Sequence, residues 1–402
     1  MQINLYSSLL PLSILIITTV IFRKMPVVGK SIFPESDRLE DNAFNPRISV
    51  IIPARNEEMV LGSLLNSISK QSLMPKEIIV VDDHSEDRTA SLAAKFGAKV
   101  IQAPDLPQGW LGKNWACWTG AKRAKGDLFL FLDADTVLEK EALFLLARAF
   151  DMHHGLVSIQ PYHSLRRHYE KLSAFFNLIL VFNMNISLLF RGLTKPMGAY
   201  GPCLLCSRKD YFSVGGHESV RTEILEDIAL GRRFIQKKIP VHLFAGKGTI
   251  SFRMYPQGLR QLVDGWTKNF ASGAFSSNLV GLLLSFALIT VCLSLPLNLI
   301  KGLINYNLIL VLFWAGLYLL YAGQIYWVLI QLGNFGLATA IFYPLPLSFF
   351  IFIFFRSLVY TYLLGRVTWK GRKICFRRRQ RRLLGGFLKE KRAKEVGTKN
   401  YT

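Results

Sequence analysis

Residues 127–135 read DLFLFLDAD. Five consecutive apolar residues suit a strand buried on both faces, as in the middle of a parallel sheet. The run stops at Asp133, and Asp135 follows two positions on. Similar runs precede it: residues 48–53 (ISVIIP) end at Pro53, residues 77–81 (EIIVV) end at Asp82 and Asp83, and residues 99–102 form a shorter one. Between them Val60, Leu61, Leu64, Leu65 and Ile68 recur at helical spacing. Residues 88–96, with Gly97 suited to cap them, and residues 115–125 also read as helices. Strands alternating with helices predict an α/β unit around a parallel sheet with right-handed crossovers. Ligands of such sheets collect beyond the carboxyl ends of the strands. The clusters Arg55-Asn56-Glu57, Asp82-Asp83 and Asp133-Asp135 all fall there, and their co-location says more than any one of them.

The 402 residues hold 49 Lys+Arg against 27 Asp+Glu, a net charge of +22, and 51% of them are hydrophobic. These figures exclude a disordered chain and point to a globular unit joined to membrane segments. Five scattered cysteines exclude a disulfide framework, and the lone Cys203-x-x-Cys206 has no second pair to complete a zinc site. Residues 5–22 are apolar, Arg23-Lys24 follow, and bulky residues stand where a signal peptidase needs small ones. The reading is an uncleaved anchor whose carboxyl side is cytoplasmic.

Three later apolar runs cover residues 279–300, 308–332 and 337–364. Pro344, Pro346 and Arg356 interrupt the last, which is expected to enter and return or to lie in the interface. That arrangement keeps the central region and the tail on one side. The tail, 366–402, holds 14 Lys/Arg and two Glu directly after a hydrophobic segment, a pattern for anionic lipid rather than nucleic acid.

The expected organisation is an anchor over 1–24, a linker over 25–46, a catalytic domain over 47–256, an amphipathic interface helix over 257–275, a transmembrane region over 276–365 and a basic cytoplasmic tail over 366–402. The chain reads as a multi-pass protein of the cell membrane with its catalytic domain in the cytoplasm. In the interface helix, Leu259, Leu262, Val263, Trp266 and Phe270 follow helical spacing. A helix packed on the domain's own core gives the same pattern. Residues 172–190 are apolar but include Asn177, Asn183 and Asn185, so they suit contact with the membrane or an acceptor, not a span.

A strand end can aim Asp133 and Asp135 at one hard cation, and Mg²⁺ or Mn²⁺ prefers such oxygen donors. An acidic turn before Thr136 and a helical run is the plainer reading. Asp82 and Asp83 can accept a hydrogen bond from a base N–H, or cap the next helix. Arg55 and Lys113 can meet phosphate. Glu226-Asp227 stands where the pattern predicts a helix start, and a carboxylate there can take a proton from an acceptor hydroxyl or simply complement the dipole. Gly215-Gly216-His217 allows close backbone approach to a ligand, or forms an ordinary turn.

The ordered set IIPARNE (51–57), VVDDHSED (80–87), FLDAD (131–135), YFSVGGH (211–217) and EILEDIALGRRF (223–234) resembles the family 2 inverting glycosyltransferases of GT-A fold, over about residues 47–270. The resemblance implies a Rossmann-like nucleotide-sugar-binding domain. By it Asp83 contacts uridine, and Pro53, Ala54, Arg55, Glu57, Asp82, Lys113 and Asp133 line the nucleotide-sugar site. Asp135 is the principal ligand of Mg²⁺ or Mn²⁺ with Asp133 beside it, Asp227 is the candidate base next to Glu226, and Gly216 and His217 face the acceptor.

Residues 158–185, 199–203, 251–274 and 367–372 are similar, more narrowly, to the membrane-bound 4,4'-diaponeurosporenoate glycosyltransferases of carotenoid synthesis. This implies glucose transfer from UDP-glucose to the carboxylate of a C30 carotenoid acid, with other carotenoid-pathway enzymes as partners. Trp266 and Lys268 then fall to the acceptor side. The alternatives are transfer to a lipid alcohol (diacylglycerol, hopanoid or ceramide-like) and a membrane-tethered sugar-nucleotide-binding protein without turnover. The intact Asp83, Asp133, Asp135 and Asp227 argue against the last. Processive relatives carry Gln-x-x-Arg-Trp; here Leu262 and Gly265 stand at the Gln and Arg positions before Trp266. That argues against chain elongation and leaves Lys268 as a candidate to support the leaving diphosphate.

Overall fold

The computed structural model describes residues 5–23, 26–28, 46–189, 198–273, 279–360, 366–369 and 372–375. Most of the expected linker and the tail beyond residue 375 lie outside the described residues. The chain begins with helix α1 (Leu5–Phe22). Then β1 (Ile48–Ala54), α2 (Leu61–Ile68), β2 (Glu77–Asp82), α3 (Thr89–Lys95), β3 (Lys99–Gln102), α4 (Gly112–Arg123) and β4 (Leu128–Leu132) alternate as expected. The registers Ile52↔Val80 and Val50↔Leu130 pair β1 in parallel with both β2 and β4. Successive residues of these strands enter opposite layers: Ile51, Phe129 and Phe131 pack into one core, Val50, Ile52 and Leu130 into the other.

After Asp135 the chain forms β5 (Thr136–Leu138), and helix α5 (Ala142–His153) starts only after that. The helical run expected directly after Asp135 is therefore corrected to a strand. Next come β6 (Leu156–Gln160), β7 (Tyr162–His163), α6 (Ala174–Leu189), β8 (Cys203–Ser207), α7 (Arg208–Ser213), α8 (Glu226–Gln236), β9 (Val241–Ala245) and β10 (Ile250–Phe252). The main sheet has seven strands in the order β3-β2-β1-β4-β8-β6-β9. Strand β8 runs antiparallel to both β4 and β6, so the sheet is mixed and only its first half is purely parallel. Cys203 and Cys206 are buried in β8, and burial pushes both thiols up. They are apolar filling, as expected of a lone pair. β5, β10 and β7 form a second, small sheet, from which Phe252 reaches the cleft.

Helix α9 (Leu259–Gly273) leads to α10 (Leu279–Ile304) and α11 (Leu308–Leu332). The last two have 26 and 25 residues, and at ~1.5 Å per residue each exceeds a hydrocarbon core of ~30 Å. Among the described residues they are the two helices long and apolar enough to cross a membrane. Exposed Leu282, Phe286, Leu312 and Leu319 give them an apolar outer surface. Helix α1 docks on α11, where Gln324 donates to Leu15 O at 2.9 Å. The third apolar run splits into α12 (Leu337–Ile341) and α13 (Pro344–Val359), with Pro344 in the first turn, where a missing N–H costs nothing. A hairpin, β11 (Arg366–Trp369) and β12 (Arg372–Cys375), follows.

The apolar stripe of α9 is turned inward. Leu262 is fully buried, Trp266 stacks on Phe176 of α6 at 4.3 Å, and Phe270 meets Phe350 of α13 edge-on at 5.1 Å. Arg356 of α13 pairs with Asp264 of α9 at 3.1 Å. This face of the expected interface helix packs on the molecule itself, and only Leu259 stays half exposed.

Candidate active site

The carboxyl ends of β1, β2 and β4 open into a cleft of ≈ 2220 Å³. Pro53, Ala54, Arg55, Glu57, Asp83, Lys113, Asp133, Asp135, Glu226, Asp227, Trp266 and Lys268 all line it. Asp82, Gly216 and His217 do not.

The end of β2 explains the difference between its two acids. Successive side chains of a strand point to opposite faces, so only one can reach the cleft. Asp83 does: its N–H donates to Ala54 O at 2.8 Å, and Arg55 Nη1 donates to Asp83 O at 2.8 Å. Asp82 turns away, and its carboxylate accepts a weak hydrogen bond from the Ser85 N–H at 3.4 Å. Of the two acids expected at the nucleotide, Asp83 lines the cleft and Asp82 does not.

Asp133 and Asp135 sit in a pinned turn. The Asp133 N–H donates to Pro202 O at 3.0 Å, and its carbonyl accepts from both the N–H and the hydroxyl of Thr136, at 3.1 and 2.7 Å. The Asp135 carbonyl accepts from the Arg253 N–H at 3.3 Å. Among the described residues no third His, Cys, Asp or Glu completes a cation cage. Two carboxylates facing an open cleft fit a hard cation that keeps positions for water and phosphate oxygens.

Lys113, in the first turn of α4, draws the acids together. Its Nζ lies 2.8 Å from Asp133, 2.7 Å from Glu226 and 3.6 Å from Asp227. Burial works against its charge, but the three carboxylates hold the ammonium well above the usual lysine range. Burial also works against the Glu226 carboxylate, and the Lys113 contact more than reverses this. Asp227 goes the other way: burial, and then the Glu226 charge, raise it well above the usual carboxylate range. Both acids open α8, as expected. Gly201 makes room for them, since a Cβ there would collide with the Asp227 carboxylate.

Gly216 and His217 belong to the core. Gly216 has φ +46°, and a Cβ there would strike the Tyr211 ring. His217 is buried, its Nδ1 2.9 Å from the Tyr211 hydroxyl, and its ring packs 5.0 Å from Phe131. Burial pushes its pKa down to about 4. Both residues, expected to face the acceptor, lie buried beside Tyr211 and outside the cleft lining.

Trp266 lines the cleft with its indole N–H fixed on Ser173 Oγ at 3.0 Å. Beyond it the cleft continues between α6, α10 and α13, past Ile179, Ile289, Leu293, Phe350 and Phe354. Exposed Phe286 and Phe355 stand at its outer end. Sequence reasoning passed over Arg253, which also lines the cleft and is held by Glu170 at 2.6 Å. The only available signal was a cation placed directly after a short strand.

The pattern of the family described as Glycosyl transferase family 2 matches residues 49–212. The 4,4'-diaponeurosporenoate glycosyltransferase of Staphylococcus aureus (strain N315) is 36% identical over 376 residues, covering 90% of this chain and 98% of that one. Among solved structures, the mannosyltransferase PcManGT from Pyrobaculum calidifontis in complex with GDP-Man and Mn²⁺ is 16% identical with a TM-score of 0.49, covering 87% of this chain and 94% of that one. The glucosyl-3-phosphoglycerate synthase from Mycobacterium tuberculosis in complex with Mn²⁺, UDP and phosphoglyceric acid is 23% identical with a TM-score of 0.40, covering 57% and 78%.

Proposed function

The chain belongs to glycosyl transferase family 2 and is an inverting glycosyltransferase; from that premise we propose that it transfers glucose from UDP-glucose to the carboxylate of a C30 carotenoid acid of the 4,4'-diaponeurosporenoate type, forming a glucosyl ester. The observation that supports this most is the continuity of the cleft. One cavity runs from Asp83, Asp133 and Asp135 to an apolar arm between α6, α10 and α13. A carotenoid acid leaves the bilayer only at a cost of ~0.8 kcal/mol per methylene-sized group exposed to water. An arm beside membrane-length helices lets the polyene stay in apolar surroundings while its carboxylate reaches the sugar.

In this reading Asp83 and Arg55 hold the uridine end. Asp133 and Asp135 would hold Mg²⁺ or Mn²⁺, which when bound offsets the charge of the diphosphate. An acceptor carboxylate oxygen attacks the anomeric carbon from the side opposite UDP. The new C–O bond forms as the bond to the β-phosphate oxygen breaks, and UDP leaves with the electron pair, giving inversion. The acceptor acid is already ionised at neutral pH, because unperturbed carboxyl groups titrate near ~4. It therefore needs no base. Asp227, which burial and then the Glu226 charge push toward its neutral form, is left to orient the acceptor or a sugar hydroxyl by hydrogen bonding.

The same reading places α10 and α11 across the membrane and the catalytic domain on the cytoplasmic side. The connection between these helices, residues 305–307, has no Lys or Arg, whereas Arg23-Lys24 and the basic tail belong to the catalytic side. Expression in a host that makes the carotenoid acid tests the acceptor. Product mass spectrometry should show a hexose conjugate that mild alkali cleaves. A hexose conjugate confined to alkali-stable lipid glycosides would overturn the carboxylate assignment.

A further inference from the structure

We propose that Arg253 binds the diphosphate of the donor and stabilises the charge that builds on UDP as it leaves. The inference rests on reading the cleft as a nucleotide-sugar site, and it gives that site a residue that neither the motifs nor the relatives assign. Arg253 is the first residue after β10, which pairs with β5 in the register Phe252↔Thr136. Its backbone N–H donates to Asp135 O at 3.3 Å. The base of this side chain is thus tied to the turn that presents Asp133 and Asp135.

The guanidinium is fixed from behind. Nε and Nη2 donate to Glu170 Oε1 at 3.1 and 2.6 Å. Glu170 is fully buried, and its other oxygen accepts from the N–H groups of Arg166 and Arg167 at 2.6 and 3.3 Å. Each oxygen of that carboxylate accepts two hydrogen bonds, which fix its orientation. Nη1 makes no hydrogen bond among the described residues, and the side chain, 25% exposed, lines the cleft. A planar fork held along one edge and open on the other suits the oxygens of a phosphate.

The charge balance of the cleft calls for such a group. Asp83, Asp133, Asp135 and Glu226 line it with Asp227 beside them, and of the cations there (Arg55, Lys113, Arg253, Arg260 and Lys268) Lys113 is already shared among three acidic side chains. A diphosphate brings further negative charge into this end. Arg253 meets it with a donor that its own counterion leaves unused. As the anomeric C–O bond breaks, the electron pair stays on the β-phosphate oxygen and Arg253 donates hydrogen bonds to that phosphate. No proton changes hands.

The test uses the full chain in detergent with Mn²⁺, and calorimetry of UDP and UMP binding. The intact protein should bind UDP more tightly than UMP. Arg253→Met should weaken UDP by about tenfold or more while leaving UMP within about twofold, collapsing the ratio. Arg253→Lys should recover part of it. Because Arg253→Met strands a buried carboxylate, the double variant Arg253→Met/Glu170→Gln is measured beside it, with thermal unfolding as the check on folding. An unchanged UDP-to-UMP ratio in either folded variant overturns the role of Arg253 and leaves the nucleotide site standing. Failure of the intact protein to bind either nucleotide overturns both.

Discussion

The Lys113 ammonium lies 2.7 Å from Glu226 Oε1. The same nitrogen reaches Asp133 at 2.8 Å, so one side chain from the start of α4 joins the end of β4 to the start of α8. Lys113→Met would leave Asp133, Glu226 and Asp227 facing one another without a counter-charge. Turnover should fall on the order of a hundredfold. Lys113→Arg should recover part of it, and steady-state UDP release in detergent is the readout. Wild-type turnover in Lys113→Met would remove the cluster from the chemistry.

Gly201 sets the position of Asp227. A methyl group there meets the carboxylate directly, so Gly201→Ala should displace it and lower kcat about ten- to a hundredfold. The donor KM should stay within about twofold, since Asp83 and Arg55 come from the ends of β2 and β1 and neither touches Gly201. A donor KM that rises as much as kcat falls would place Gly201 in the nucleotide site instead.

Leu293 of α10 lines the apolar arm. Leu293→Trp should fill part of it, raising the acceptor KM severalfold with the donor KM unchanged. Transfer assays varying each substrate separately decide this. A donor KM that moves instead would mean the arm serves the sugar nucleotide.

Two buried histidines make stability fall as acid is added. Burial pushes His217 down to about 4 and His163 to about 3, while the unfolded chain protonates near 6.5. Below that value the unfolded state binds more protons than the folded one, so stability rises with pH across the window and falls as acid is added. Each group contributes up to ~1.4 kcal/mol per pH unit there. For His217 the loss is complete near pH 4, where the folded state also protonates. His217→Gln should flatten the dependence of urea midpoints between pH 6.5 and about 4. An unchanged slope would show that His217 is not held neutral.

The strands β1, β2 and β4 were legible because each is a buried apolar run with a proline or an acid at its carboxyl end, and those ends mark the cleft. Other features depend on partners far away in the chain. Residues 136–138 are too few to declare a strand; their state comes from pairing with β10. Residues 203–207 drew notice for two thiols, although CLLCS is also a buried-strand pattern. The apolar stripe of α9 fits lipid or core equally well, because periodicity shows that a face is covered and not by what. Gly216-His217 looked like a ligand loop, and only the fold brings Tyr211 under it. The Arg253–Glu170 pair spans 83 positions, beyond any local pattern.

The most direct measurement supplies labelled UDP-glucose and extracted carotenoid acid to membranes holding the enzyme, with Mn²⁺, beside membranes holding Asp135→Ala. Label should enter an alkali-labile carotenoid lipid with the intact enzyme and fail to do so with the variant. Equal metal-dependent labelling by Asp135→Ala, or label that never reaches a lipid, would contradict a single cleft joining the acidic nucleotide site to an apolar acceptor.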